Sequence, residues 1–102
     1  MDSKYKNFDH KQIDAVLHNR LRLAILAAAA HSDEVDFMSL KKSVKTTDGN
    51  LSIQLKKLEE VGFIIINRSV QSTRQQTNIA LTNKGYTALM AYKQQLLQWL
   101  DV

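Results

Sequence analysis

Thr46-Thr47-Asp48-Gly49-Asn50-Leu51-Ser52-Ile53-Gln54-Leu55-Lys56-Lys57-Leu58-Glu59-Glu60-Val61-Gly62-Phe63 is the stretch that decides the fold of this chain. Its pattern predicts one short amphipathic helix. Thr47 is suited to cap the first turn, and Asp48 places a negative charge where the helix dipole favours one. Gly62 is suited to end the helix. Three leucines recur at helical spacing and therefore share one face: Leu51, Leu55 and Leu58.

The opposite face of this helix carries small, amide and cationic side chains, with one exposed isoleucine among them. A helix that buries leucines and presents such groups outward is shaped to enter the major groove of DNA. The alternative is an ordinary surface helix with a solvated face. The helix alone leaves both interpretations open. The residues concerned are Gly49, Asn50, Ser52, Ile53, Lys56 and Lys57.

Composition narrows the class of protein. A length of 102 residues fits a single domain, residues 1–102, and 44% apolar residues is typical of a folded globular chain. The net charge of +4 is compatible with nucleic acid without being specific for it. The chain has no cysteine, which excludes disulfides, thiolate metal sites and cysteine nucleophiles. The N-terminal residues lack the apolar core of a secretory signal, and the apolar stretch 23–30 is shorter than a membrane span. We therefore expect a cytoplasmic protein without a membrane partner.

The residues before the leucine helix predict a scaffold. Residues 1–8 are polar, and we expect them to be flexible. From Asp9 the spacing of Ile13, Val16 and Leu17 predicts a helical face, and His18-Asn19 indicates a kink or a new cap. Residues 21–30 predict a helix that is apolar on most sides, because alanine favours helix and lets neighbouring backbones approach closely. This segment is expected to be the central scaffold helix.

A second short helix is predicted just before the leucine helix. Val35-Asp36-Phe37 is either a small strand or a linker. Residues 39–45 give about two helical turns, with Leu40 and Val44 on one face. Only Thr46-Thr47 separates these turns from the leucine helix. Two short helices joined by so tight a turn are typical of a helix-turn-helix.

A β-hairpin is predicted after the leucine helix. Residues 63–68 and 77–81 predict its strands, and the polar residues 70–76 predict a loop. Arg68 and Arg74 lie near its tip. A mobile polar loop has no packing reason to carry arginine, whereas narrow minor grooves of DNA attract this side chain.

The last predicted helix, about 82–101, begins at the cap Thr82 and carries a long apolar stripe, to which Trp99 adds. The stripe exceeds what one small domain can cover, so we expect it to join two copies of the chain. The alternative is that the stripe packs over the core of a single copy of the chain. The stripe consists of Tyr86, Leu89, Met90, Leu96, Leu97 and Leu100; the predicted dimer contacts are Ile13, Leu17, Leu89, Leu96, Leu97 and Leu100.

Four blocks in this order, residues 17–26, 47–52, 55–63 and 81–85, resemble the short MarR/ArsR-like winged-helix transcriptional regulators of bacteria and archaea. The resemblance spans roughly residues 12–100. It implies a mainly α fold with a small β-hairpin: a winged helix-turn-helix with N- and C-terminal dimerisation helices. It further implies a homodimeric, sequence-specific regulator of transcription that binds double-stranded DNA. The recognition helix, about 47–61, would enter the major groove, and the wing, about 67–77, would lie at the minor groove.

Side-chain chemistry suggests how each residue would contact DNA. Asn50 and Gln54 can pair with adenine edges, and Ile53 can touch a thymine methyl group. Gln54 lies nearer the buried face, so we assign it a flanking position. Lysines are suited to phosphates, which position a protein without reading sequence. The resemblance places Arg74 near an adjacent minor groove. The full predicted DNA-binding set is Lys41, Asn50, Ser52, Ile53, Gln54, Lys56, Lys57, Arg68 and Arg74.

Several positions depart from the family pattern. Ile53 and Gln54 stand where relatives often have basic or polar residues and histidine, and Gln75-Gln76 replaces a frequent Pro-Arg pair. Met38 stands at a common capping position, where Ser39 is expected to take over the cap. These changes lower the local positive charge. They motivate a second hypothesis, a winged-helix protein–protein adaptor that does not bind DNA.

Other chemistries find little support in the sequence. Three histidines and nearby carboxylates match no metal-ligand spacing, so no metal site is predicted. Nucleophile elbow, glycine-rich phosphate loop and HExxH motifs are absent, so we predict no cofactor and no enzymatic activity. A small-molecule effector is unsupported, and we would expect one at the dimer seam. These histidines and carboxylates are His10, His18, His31, Asp33, Glu34 and Asp36.

Overall fold

A computed structural model describes residues 7–71 and 74–102, with the backbone alone at 70, 71 and 74. A short 3₁₀-helix, His10–Gln12, precedes the main elements. In chain order these are α1 (Arg20–Ala30), β1 (Val35–Asp36), α2 (Phe37–Val44), α3 (Asp48–Glu60), β2 (Ile64–Gln71), β3 (Arg74–Leu81) and α4 (Asn83–Leu100). The helix-turn-helix is α2 followed by α3, and the wing is the β2–β3 hairpin. The predicted fold class is therefore confirmed. Most of the segment predicted to be flexible, residues 1–6 of 1–8, lies outside the described residues.

The predicted leucine helix is confirmed as α3, with both of its ends as expected. The Thr47 hydroxyl accepts the backbone N–H of Asn50 at 3.2 Å and caps the first turn. Gly62 follows the last turn at a φ of 81°, a left-handed conformation that glycine adopts without strain. The three leucines of the inner face are buried, so tertiary packing holds this short helix in place.

The core forms around α1, as the alanine-rich sequence predicts. Ile25 and Leu26 of α1 have no exposed surface. They belong to one cluster with Leu40 of α2, Leu51 of α3 and Ile79 of β3. Helix α1 contacts α2, α3, α4 and β3, and β2 in turn packs against α3 and β3.

The helix predicted from Asp9 onward is wrong, since the structure has only the three-residue 3₁₀-helix there. The side chain of Asp14 accepts the backbone N–H groups of Val16 and Leu17, at 2.8 and 3.1 Å. Such local bonds give the backbone an alternative to a helix. Asn19 then caps α1 by accepting from the backbone of the first turn, which confirms the expected fresh cap.

The cap of α2 also differs from the prediction. Met38 is exposed, and Ser39 does not cap the helix. Asp36 caps it instead, because its carboxylate accepts the backbone N–H of Ser39 at 3.1 Å. Hydrogen bonds from the side chain and then the backbone of Ser39 hold the pKa of Asp36 below its ordinary value. The short stretch Val35–Asp36 is a strand rather than a linker, paired with β3.

The wing is longer than the sequence predicts. The strands of the sheet lie in the order β1-β3-β2, and the antiparallel β2–β3 pairs run from Ile64 with Leu81 to Gln71 with Arg74. The predicted loop over 70–76 is therefore mostly strand. Backbone hydrogen bonds build this ladder, and the sequence of its outer part lacks the alternation of apolar and polar residues that indicates a strand. Residues 72 and 73 lie outside the described residues.

A hydrogen-bonded junction joins the end of α3 to the start of α4. The hydroxyl of Thr82 donates to the carbonyl oxygen of Gly62 at 2.6 Å and accepts the backbone N–H of Gly85 at 3.0 Å. The backbone N–H of Thr82 donates to the carbonyl oxygen of Phe63 at 3.0 Å. Gly85 is buried there, and a Cβ at this position would overlap the carbonyl oxygen of Phe63 and approach a methyl group of Leu81 to 2.8 Å.

Substitution of Gly85 tests how tightly this junction is packed. Gly85→Ala should lower the free energy of unfolding by about 1–3 kcal/mol, because the new methyl group meets backbone that cannot easily move. The control is Gly49→Ala, since nothing lies within 4 Å of the Cβ that this change adds. The control should stabilise the helix by about 0.5–1 kcal/mol. Urea unfolding of both variants measures the difference, and equal stabilities would contradict the packed junction.

Removal of the Asp36 cap should weaken α2. Asp36→Ala is expected to lower the free energy of unfolding by about 1 kcal/mol, and Asp36→Asn by less, because an amide oxygen still accepts. The folded pKa of Asp36 lies below its ordinary value, so the carboxylate stabilises above about pH 4 and this contribution disappears as the pH falls through the folded pKa. The stability advantage of the wild type over Asp36→Asn, followed by urea unfolding, should therefore shrink on acidification. A difference that is constant with pH would contradict the assignment.

Candidate nucleic-acid interface

The outward face of α3 is exposed as the sequence predicts. Burial of the three leucines turns the other side of the helix to solvent, and the isoleucine on that side is 55% exposed. The exposed residues of this face are Asn50, Ser52, Ile53, Lys56 and Lys57.

A groove between α3 and the wing gathers the cationic groups. Lys56 and Ser52 line it from α3, and Arg68 and Thr77 line it from the wing. Arg68 and Thr77 are cross-strand partners, so they stand side by side on the same face of the hairpin. Two cations and two hydroxyl groups are the chemistry that binds phosphate oxygens. One carboxylate, that of Glu59, also lines the groove and tempers its charge.

Lys41 forms an ion pair within the chain. The sequence alone does not indicate this pairing. Its ammonium lies 2.8 Å from a carboxylate oxygen of Asp48, across the turn between α2 and α3. The Lys41 side chain is 24% exposed and that of Asp48 is 71% exposed. Instead of presenting a free charge to phosphate, Lys41 is neutralised by the first residue of α3.

Gln54 is half-buried and is hydrogen-bonded to Arg22 of α1. Its amide oxygen accepts a hydrogen bond from the Arg22 guanidinium at 2.8 Å, and the Nε of Arg22 donates to the carbonyl oxygen of Val16 at 2.6 Å. Arginine only donates, so the oxygen of the amide must face it and the NH₂ group remains available. The amide oxygen that bidentate pairing with adenine requires is therefore already in use. Gln54 keeps a flanking position, as its place on the helix predicts.

Arg22 is a residue that the sequence reading missed. It joins the segment before α1 to the recognition helix through the two hydrogen bonds just described. Its signal was present, because it is the one charged residue inside the otherwise apolar stretch 21–30. The sequence does not indicate that its partner is Gln54, which lies 32 positions further along the chain.

The tip of the wing is only partly described. The backbone of Arg74 pairs with that of Gln71, but the side chain of Arg74, and with it the predicted minor-groove contact, lies outside the described residues. Gln75 is exposed and Gln76 is half-buried.

The residues predicted for the dimer divide into two groups. Leu17 and Leu89 are buried in the core of the chain itself, at 0% and 8% exposure. Leu97 and Leu100 are 53% and 69% exposed. Ile13 and Leu96 are half-buried and pack against the core. An apolar groove runs between α1 and α4, lined among others by Leu23, Ala27, Tyr86, Met90, Leu97 and Leu100.

Neither a metal cluster nor a membrane helix is found among residues 7–71 and 74–102. No three histidine or carboxylate side chains there are grouped for a metal ion. His18 instead shares a hydrogen bond of 3.0 Å with the hydroxyl of Tyr92. Within the same residues, no helix has the length and apolar character to cross a bilayer.

Comparisons with known proteins show the family of the chain and its likeness in fold to solved structures. Residues 21–100 match the family described as "Winged helix DNA-binding domain". An uncharacterized protein of Methanocaldococcus jannaschii is 40% identical over 83 residues, which cover 81% of this chain and 90% of that protein. The structure of a transcriptional regulator homologue from Pyrococcus horikoshii has a TM-score of 0.75 at 23% identity, covering 91% of this chain and 96% of that one. A mutant of MepR from S. aureus bound to an oligodeoxyribonucleotide has a TM-score of 0.67 at 24% identity, covering 88% and 68%.

Proposed function

Since this chain belongs to the family of winged-helix DNA-binding domains, we propose that it is a homodimeric transcriptional regulator that reads a specific double-stranded DNA sequence. One observation carries the proposal. The exposed polar face of α3 and Arg68 of the wing border a single groove, so both elements present hydrogen-bonding and cationic groups to the same side of the molecule. The likeness in fold to MepR bound to an oligodeoxyribonucleotide supports DNA as the partner.

In the proposed complex α3 lies in the major groove. Asn50 and Ser52 are exposed near its N-terminal end, where recognition helices contact base edges. Ile53 is suited to the methyl group of thymine. Lys56 and Lys57 follow on the same side and are suited to phosphates. Gln54 adds at most its free NH₂ group from the flank, because Arg22 holds its oxygen.

The wing lies beside the backbone that follows the major groove. Arg68 shares its groove with Lys56 and Ser52, so one phosphate bound there would be contacted from both elements at once. Arg74 is proposed to reach the adjacent minor groove, as the resemblance to MarR/ArsR-like regulators implies. Such a wing fixes the orientation of α3 on the duplex without reading sequence itself.

Two copies of the chain are proposed to meet through α4. Tyr86, Leu97 and Leu100 are each more than half exposed, and they flank an apolar groove against α1. A second copy would remove this surface from water. The two α3 helices of the dimer would then lie about 34 Å apart, one turn of the duplex, on a pseudo-palindromic site. Action on DNA would place the protein in the cytoplasm.

A protein–protein adaptor is the second candidate. It is motivated by the exposed Ile53 and by the neutralised Lys41, both of which reduce the free positive charge of the surface. An adaptor would capture one protein partner in fixed stoichiometry and bind no duplex even at low salt. The salt dependence of duplex binding distinguishes the two functions.

Lys56 and Lys57 test the phosphate contacts. Lys56→Ala and Lys57→Ala should each weaken binding to all duplex sequences alike and reduce the slope of log affinity against log salt by about 0.9, because one counterion fewer is released. The control Lys11→Ala removes an exposed lysine of the 3₁₀-helix and should leave the slope unchanged. Asn50→Ala, in contrast, should alter the order of preferred sequences. Fluorescence anisotropy over a salt series measures these effects, and unchanged affinity in both lysine variants would exclude this surface.

Leu97 and Leu100 test the dimer. The double substitution Leu97→Glu/Leu100→Glu should convert the dimer to a monomer, because carboxylates in an apolar contact must be desolvated without a partner. The control is Ile65→Glu, which alters an isoleucine of the wing with the same 53% exposure as Leu97. Size-exclusion chromatography with light scattering reports the mass. A monomeric wild type at micromolar concentration would contradict the proposed role of α4.

A further inference from the structure

The pair formed by Lys41 and Asp48 joins the two helices of the helix-turn-helix. The ammonium–carboxylate distance is 2.8 Å, and the two residues lie on opposite sides of the turn at 45–47. Asp48 is mostly exposed, whereas the stem of Lys41 packs down on the protein. An exposed ion pair adds little to stability, so its electrostatic effect on the surrounding surface is of greater interest.

The pair lies at the start of α3, which the proposed complex brings close to DNA. Asp48 is the first residue of α3 and directly precedes the exposed Gly49 and Asn50. In helix-turn-helix proteins the start of the second helix approaches the bases, and the first helix crosses the DNA backbone. A carboxylate at this position repels phosphate. By pairing with Lys41 it also withholds one cation of α2 from phosphate.

We propose that Asp48 is a specificity-determining residue that lowers the affinity for DNA of any sequence. Its carboxylate holds the Lys41 ammonium away from the DNA backbone and adds a negative charge at the edge of the proposed contact surface. Phosphate contacts supply most of non-specific binding, so weakening them makes occupancy depend on base contacts, such as those of Asn50 and Ser52. This inference rests on the proposed function, because it concerns the same surface.

A double-mutant cycle on the pair tests the proposal. Asp48→Asn should free Lys41 and raise the affinity for random-sequence duplex severalfold, with a salt slope steeper by about 0.9 for the additional phosphate contact. Affinity for the preferred duplex should rise less, so the ratio of specific to non-specific affinity falls. Lys41→Met should weaken binding to both duplexes. The combination Lys41→Met/Asp48→Asn restores the wild-type net charge, and its non-specific affinity and salt slope should return close to those of the wild type.

The matched control is Asp33→Asn. It makes the same change of charge at an exposed carboxylate between α1 and β1, outside the helix-turn-helix. A general effect of net charge would appear equally in both aspartate variants, whereas release of Lys41 would appear only in Asp48→Asn. Circular dichroism and urea unfolding verify that each variant is folded. Asp48→Ser, which also suits a first helical turn, provides the same test through a second side chain.

The outcomes separate this inference from the function on which it rests. A larger rise in non-specific affinity for Asp48→Asn than for Asp33→Asn, cancelled by Lys41→Met, supports the proposal. Equal effects of the two aspartate substitutions, or a loss of affinity in Asp48→Asn, would overturn it while leaving DNA binding in place. Absence of duplex binding in the wild type and in every variant at low salt would overturn the proposed function and this inference together.

Discussion

The hydrogen bonds of Thr82 are the constraint on which the interface depends. Its hydroxyl binds the carbonyl oxygen of Gly62, where α3 has just ended, and caps α4 through the N–H of Gly85. The wing also starts and finishes here, because β2 leaves after Phe63 and β3 returns at Leu81. The Thr82 side chain thus ties the end of the recognition helix to the start of α4, at the base of the wing. Buried Gly85 packs closely against Phe63 at this junction and leaves little room for adjustment.

The surface that results is less positive than its lysines and arginines suggest. Asp48 neutralises Lys41, Glu59 lines the groove beside Arg68, and the guanidinium of Arg22 is directed to Gln54 and the backbone. In the proposed complex such a surface would gain modestly from phosphates, so base contacts would contribute a larger share of the affinity. The exposed Ile53 fits this balance, since it adds apolar contact rather than charge.

The sequence predicted those features that depend on neighbouring residues. The helices α1, α3 and α4 and the caps Thr47 and Thr82 follow from periodicity and local hydrogen bonding, and the family and fold agree with the resemblance found in the sequence. The features that the sequence did not predict depend either on residues that are distant in the chain or on hydrogen bonds between backbone groups. The outer wing is held by pairing of strands whose side chains show no pattern, and the Arg22–Gln54 bond spans 32 positions. Near the N-terminus, the spacing of apolar residues predicted a helix. The hydrogen bonds from the backbone of Val16 and Leu17 to the side chain of Asp14 give a turn there instead.

The apolar stripe of α4 shows why a sequence pattern alone does not divide a core from an interface. Leu89 packs into the core, whereas Leu97, eight residues further along, is half exposed. Eight residues leave these two side chains on different sides of α4, and it is Leu96, seven residues after Leu89, that packs against the core. Since Thr82 caps α4 and bonds the carbonyl oxygen of Gly62 just after α3, a dimer joined through α4 would transmit its geometry directly to the recognition helix. The spacing of two DNA half-sites would then be set by α4 and would not be adjustable by the wing.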